Sequence, residues 1–227
     1  MKYIIIGLGY FGSTLASNLT SQGHEVIGID NNADKVDDMK DDISVVMEMD
    51  ATSPNALKSL PLDDIDAVIV AIGEDIGSSI LALAILKNLP IKRLIGRAIT
   101  PVHRNILVQL GIQEIVQPEE DSALSVSSML QIKDAKKVME LSIDNAIAEV
   151  SIPKKYIGHS LLTVDPEVRF NIKIVALKTR YNESLNVFTS KKDYRIEYKI
   201  NRTKPLKDTD FLVLAGKMED IKRFTLS

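Results

Sequence analysis

The sequence predicts an α/β protein: a parallel sheet with helices on both faces, followed by a smaller α+β domain. Three observations carry this. A G-x-G-x-x-G spacing at Gly7, Gly9 and Gly12 sits between an apolar strand (3–6) and a helix-patterned segment. Short apolar runs then alternate with helical stretches as far as residue 116, the rhythm of a parallel sheet. Beyond residue 132 the rhythm turns to closely spaced strands, and the charge balance changes sign.

Each element of the opening has a physical task. Gly7 permits the tight turn out of the first strand, and Gly9 lets the backbone approach a pyrophosphate. Gly12 allows helix and strand to pack closely, while the helix N-terminus offers free N–H groups and partial positive charge. The second strand ends in Asp30, eighteen residues after Gly12. A carboxylate there accepts the hydroxyls of an adenosine ribose and repels a 2′-phosphate. Together these residues predict an adenine-nucleotide site that favours NAD, ATP, ADP or AMP over NADP.

Further strands are expected at 43–49, 67–72, 94–97 and 112–116, with helices at 33–40, 54–60, 76–89 and 101–110. Ligands of such sheets bind outside the carboxyl ends of the strands, so strand-end residues become candidates. Asp50 either accepts from an adenine amino group or caps the next helix. Ala71, Ile72 and Gly73 are placed to line the ribose or the distal half of the ligand. Arg97 either meets a phosphate or is salt-bridged.

The chain has 227 residues and no cysteine, which excludes disulfides, thiolate metal sites and a cysteine nucleophile. Its longest apolar run, 80–86, has seven residues, far short of the ~18 that suggest a membrane span. The first strand begins at once, with no signal peptide ahead of it, so a soluble cytoplasmic protein is expected. Residues 1–130 hold 9 Lys+Arg against 18 Asp+Glu, a net of −9; residues 131–227 hold 19 against 13, a net of +6. That asymmetry suggests two modules, the second suited to an anionic ligand, an acidic surface or the underside of a membrane protein, or simply complementary to the first.

In the second half, 119–132 reads as a helix with Ala123, Val126, Met129 and Leu130 on one face. The 76–89 helix is apolar nearly all round. Both are read as assembly surfaces, with intramolecular core as the other reading. Strands are expected at 137–143, 146–152, 172–178, 185–189, 194–200 and 211–215, with a hairpin turn at 182–184 and a closing helix at 218–224. Along 194–200, Tyr194, Ile196, Tyr198 and Ile200 alternate with Arg195, Glu197 and Lys199, an edge strand with a buried tyrosine face. Aromatics opposite the charges do not make a nucleic-acid stacking platform, and no recognition helix or zinc spacing appears.

An NAD-dependent oxidoreductase is the alternative, since one fold serves many functions. It needs an acid–base group near the nicotinamide. The histidines are His24, His103 and His159, of which His103, following the fifth strand, is the best placed.

The chain resembles the RCK (regulator of potassium conductance) family, the TrkA-like regulatory subunits of Trk/Ktr potassium-uptake systems. The likeness runs through GLGYFG (7–12), GHEVIGID (23–30), MDAT (49–52), DAVIVAIGED (66–75), IVQPEED (115–121) and LKDTDFLVLAGKMEDIKRF (206–224). It implies a Rossmann-like RCK N-terminal domain over 1–132, connecting helix included, and an RCK C-terminal regulatory domain over 133–227. It also implies a cytoplasmic gating subunit with no chemistry of its own. Such a subunit dimerises, assembles into an octameric ring beneath a membrane potassium-translocating subunit, and does not itself enter the membrane. NAD(H) or ATP, ADP or AMP is the expected ligand of the first domain.

Motif and resemblance together put nucleotide contacts at Gly7, Leu8, Gly9, Tyr10, Phe11, Gly12, Asp30, Asn31, Asp50, Ala51, Ala71, Ile72, Gly73 and Arg97. Glu119 matches a position that helps to bind a divalent cation in some relatives. Some relatives carry a basic residue where Tyr10 stands, which shifts the expectation away from ATP toward NAD(H), ADP or AMP. Cyclic di-AMP binds the second domain of others. Here Asn171 replaces a frequent glycine and Asp165-Pro166 interrupts the matching stretch, which argues against that ligand.

Overall fold

The computed structural model describes residues 1–180 and 194–227. By its contacts the chain forms two compact units, Met1–Glu119 and Glu120–Ser227.

The first unit runs β1 (Lys2–Ile6), α1 (Tyr10–Ser21), β2 (Glu25–Asp30), α2 (Ala33–Asp38), β3 (Val45–Glu48), α3 (Pro54–Lys58), β4 (Ala67–Val70), α4 (Ile76–Leu86), β5 (Leu94–Arg97), α5 (Pro101–Gln109) and β6 (Glu114–Val116). Its sheet has the order β3-β2-β1-β4-β5-β6, and every pairing is parallel. Because side chains alternate across a strand, β1 supplies both faces. Ile4 and Ile6 join a core with Leu57 of α3, Leu83 and Leu86 of α4 and Leu107 of α5. Ile5 joins a second core with Ala16 of α1 and Met39 just beyond α2. Strands covered on both sides read as continuous apolar runs, as in the wholly buried Ala67–Val70.

Local chemistry fixes the helix starts. Asn32 accepts from the amide of Asp34 (2.9 Å), and Asp75 from that of Ser78 (3.2 Å). Ser53 and Thr100 cap α3 and α5, each followed by a proline at the first helical position. Helix α4 buries Ser79, Ala82, Leu83 and Leu86 and leaves Leu81 exposed.

The second unit holds α6 (Pro118–Leu130), which starts just before the division, then β7 (Ala135–Glu140), β8 (Asn145–Ser151), α7 (Leu161–Val164), α8 (Pro166–Phe170), β9 (Lys173–Arg180), β10 (Tyr194–Glu197), β11 (Phe211–Lys217) and α9 (Met218–Leu226). The antiparallel sheet has the order β10-β9-β11-β8-β7. Ala146, Ala148 and Val150 of β8 and Leu212 and Leu214 of β11 point into one core. Phe224 of α9 centres it, stacked on Tyr156 (centroids 5.6 Å) and met edge-on by Phe170 (5.5 Å).

Several expectations change here. By contacts the chain divides after Glu119, and the end of the connecting helix packs into the core of the second unit. Met129 and Ile132 join that core, Ser128 bonds the Glu140 carboxylate, and Lys222 donates to Gln131 (3.1 Å). Strand β10 lies at the sheet edge as read, but its tyrosine face is not buried: Ile196 is 50% and Tyr198 74% exposed. The strand ends at Glu197 and the chain bends at Tyr198; beyond the bend Ile200 packs against the core of the unit. The expected turn at 182–184 and strand at 185–189 lie outside the described residues. Helices α7 and α8 were not anticipated. They meet at Asp165 in the left-handed region (φ +41°), ahead of Pro166. Asn171, also left-handed (φ +56°), ends α8 and donates to Asp220 (3.4 Å), the role a glycine or asparagine fills after a helix.

Candidate functional site

The carboxyl ends of β1, β2 and β4 frame the site. Gly7 adopts φ +96°, and a Cβ there would meet the Ile72 amide nitrogen at 2.8 Å. Its own amide donates to Ile29 O (2.7 Å), which pins the turn to β2. At Gly12 a Cβ would lie 1.9 Å from Gly7 O, so helix α1 starts against the turn with no room for a side chain. Over Gly9 there is nothing within 4 Å of an added Cβ. The loop is therefore packed beneath Gly7 and Gly12 and open above Gly9. That is the cradle a pyrophosphate needs at the start of a helix. Tyr10 is 92% exposed, and Phe11 half-buried.

Asp30 ends β2 and is 8% exposed. One carboxylate oxygen accepts from the Leu8 amide (2.7 Å) and the other from the Asn32 amide (2.9 Å). Two acceptors with one bond each retain lone pairs for ribose hydroxyls. The same side chain thus holds the glycine loop in shape at the carboxyl end of β2. Asn31 is exposed beside it.

The remaining candidates divide. Asp50 is exposed and folds back on Thr52, accepting from its hydroxyl (2.7 Å) and amide (2.8 Å), which hold its carboxyl below the usual range. Ser53, not Asp50, caps α3. Ala51 is packed in the core at 7% exposure. Ala71 is likewise buried, while Ile72 and Gly73 are half-buried at the rim.

Arg97 is salt-bridged. Its guanidinium donates to Ala71 O (3.2 Å), pairs with Glu119 and lies 5.1 Å from the Phe11 ring centroid. A Cβ on Gly73 would come within 2.7 Å of it, so that glycine makes room for the arginine. Burial pushes the Glu119 carboxyl up, but the bond from Arg97 and a backbone bond outweigh it and hold the group below its ordinary value. Glu119 is thus engaged by a cationic side chain, and among the described residues no group of three or more His, Asp or Glu is placed to hold a metal ion.

An ion pair absent from the sequence reading lies close by: Lys35 Nζ stands 3.2 Å from Glu74 Oε1. Nothing in the sequence links positions 39 apart; the glutamate of the GED motif (73–75) was its only visible sign. A mostly apolar groove of about 300 Å³ runs beside α1 on the sheet face, lined by Phe11, Leu15 and Leu19 of the helix and by Ile69, Ile95 and Val116 of the sheet, with Arg93 at its edge.

His103 is 1% exposed, and neither ring nitrogen has a hydrogen-bond partner among the described residues. The acid–base candidate of the oxidoreductase reading is thus a buried side chain in this structure. Burial pushes its pKa down. The unfolded chain takes up a proton near pH 6.5 while the folded chain resists, so this contribution to stability holds above about 6.5 and is lost as pH falls. His103→Leu is expected to flatten the fall in urea midpoint between pH 7 and 5. Parallel profiles for wild type and variant would contradict it.

The sheet order, the glycine loop and the buried acid ending β2 define a Rossmann-like domain, here followed by a small antiparallel α+β unit. The chain belongs to the TrkA-N domain family, whose model matches residues 3–118, and so to the RCK group that the motifs resemble. It is 30% identical over 223 residues to the Ktr system potassium uptake protein C of Bacillus subtilis, covering 98% of this chain and 95% of that protein. Identity to the Ktr system potassium uptake protein A of the same organism is 28%, with the same coverage. Among solved structures, the GsuK channel bound to NAD matches 100% of this chain and 39% of its own, with TM-score 0.65 and 16% identity, a likeness of fold. No helix among the described residues is long and apolar enough to cross a membrane.

Proposed function

We propose that this chain is the cytoplasmic regulatory subunit of a Trk/Ktr-type potassium-uptake system, with no catalytic activity of its own. It binds an adenine nucleotide or NAD(H) and controls a membrane potassium-translocating subunit from the inner face of the membrane. The observation that carries this reading is the end-to-end likeness to the Ktr protein C, 98% of one chain against 95% of the other.

The nucleotide is held by the residues Gly7 to Gly12, Asp30 and Asn31, Asp50 and Ala51, the rim at Ala71 to Gly73, and Arg97. Loop amides at the α1 N-terminus take the phosphates, and Asp30 takes the ribose. Gly73 and Arg97 border the distal half. A divalent cation at Glu119 would have to displace Arg97. The subunit works as a dimer within a larger ring, through α4 and α6. A ligand shifts the assembly only by its different affinity for the two shapes, so exchange of one nucleotide for another is the signal.

The test is calorimetric titration with ATP, ADP, AMP, NAD, NADH, NADPH and cyclic di-AMP, with and without magnesium, each paired with oligomer mass. Tight binding without turnover on a dimer or larger ring, with NADPH and cyclic di-AMP weakest, is the expected result. A strict monomer, or hydride transfer to a substrate, would overturn the proposal.

A further inference from the structure

Sheet order places β1 between β2 and β4, so the glycine loop opens between the segments that follow those two strands. Lys35 stands on α2, after β2; Glu74 follows β4 and Gly73. Their ion pair therefore joins the two neighbours of the loop above the end of β1. In the segments after β1, β2 and β4 that surround this opening (7–13, 31–36 and 71–79), Lys35 is the only cation, against the three acids Asp34, Glu74 and Asp75. The other cation nearby, Arg97, is already bonded to Ala71 O and Glu119. Tyr10 brings no charge to the loop itself.

The pair has the character of a removable contact. The Lys35 side chain is 33% and that of Glu74 85% exposed, and exposed pairs are individually weak. Lys35 has no other ion pair among the described residues, so a ligand that takes it breaks nothing else in the fold.

Resting on the nucleotide reading above, we propose that Lys35 and Glu74 form an ionic strap across the nucleotide crevice, and that a phosphate of the incoming nucleotide takes Lys35 from Glu74. A pyrophosphate over the glycine loop carries more negative charge than the single carboxylate it replaces, and it accepts charge-assisted bonds from the ammonium. Lys35 becomes a binding residue, and Glu74 the competitor that sets how much anionic charge a ligand needs. The fold has then placed its phosphate-reading cation on α2 instead of in the glycine loop.

The test is a double-mutant cycle in the full chain, read by calorimetry with ADP and with NAD. Lys35→Gln is expected to weaken both ligands about tenfold, the scale of one lost charge-assisted bond. Glu74→Gln is expected to tighten both by roughly threefold, the scale of an exposed ion pair. In the Lys35→Gln background the gain from Glu74→Gln should vanish. Both side chains are outside the cores, and thermal melts establish that each variant is folded. An undiminished gain from Glu74→Gln in that background, or an unchanged affinity for Lys35→Gln, overturns the strap alone. Failure of the wild type to bind any adenine nucleotide overturns the site itself and the strap with it.

Discussion

Gly12→Ala is expected to destabilise the first unit by about 2–3 kcal/mol, the upper part of the usual range for overpacking, and to abolish measurable nucleotide binding. Helix propensity alone points the other way, since alanine in a helix is favoured over glycine by about 1 kcal/mol. The clash decides the sign. A Cβ at this position would lie 1.9 Å from Gly7 O, 3.0 Å from Gly7 C and 3.2 Å from the Ala71 Cβ. The first two are backbone atoms, and Gly7 is tied to Ile29 O, so the loop cannot swing aside without losing its shape. Helix α1 has to lift instead, which withdraws its free amides from the phosphate position. Gly9→Ala is the natural control: its Cβ meets nothing, so urea midpoints should match the wild type while nucleotide affinity falls. Equal midpoints for Gly12→Ala and wild type would show that the loop and helix are not packed as described.

Asp30→Ala is the second large effect: roughly 2 kcal/mol of stability and at least a tenfold loss of adenine-nucleotide affinity, in a chain that still folds. The carboxylate accepts from the amides of Leu8 and Asn32. Leu8 is 4% exposed, so its amide is left in the interior without an acceptor, the costly half of breaking a hydrogen bond. Asp30→Asn keeps one acceptor oxygen but turns an NH₂ toward a backbone donor, and should fall between. Denaturant titration reads the bracing role and calorimetry the ribose role. A folded Asp30→Ala chain with unchanged affinity would mean that the nucleotide binds elsewhere.

The first half of the fold was open to reading because its signals are local. A strand buried on both faces is a plain apolar run, and 94–97 was read to the residue. The glycine loop was legible because a backbone that turns at φ +96° and a helix that starts 1.9 Å from a would-be Cβ tolerate little else. What stayed hidden depends on closure of the chain. Position alone placed Ala51 at a strand end, but not its burial in the core. Arg97 could be read as phosphate ligand or salt-bridged residue, and only the turn that follows β6 brings Glu119 within reach of it. Along 194–200 the period of two was real in the letters, yet the strand stops at Glu197. Helices α7 and α8, four and five residues long, are too short to show a period at all.

Helix α6 has a consequence of its own. Residues 119–127 are all exposed, with Leu124 at 60% and Val126 at 51%, and the helix sinks into a core only at its last turn. Thirteen residues is close to the length at which a helix in water is marginal unless one face is packed. In a lone chain the amides of this segment should trade hydrogen for deuterium within the earliest time points, while those of β1 and β8 hold theirs for as long as the units stay folded. The joint between the two units would then be a soft stretch among the described residues, and its stiffness something acquired from outside.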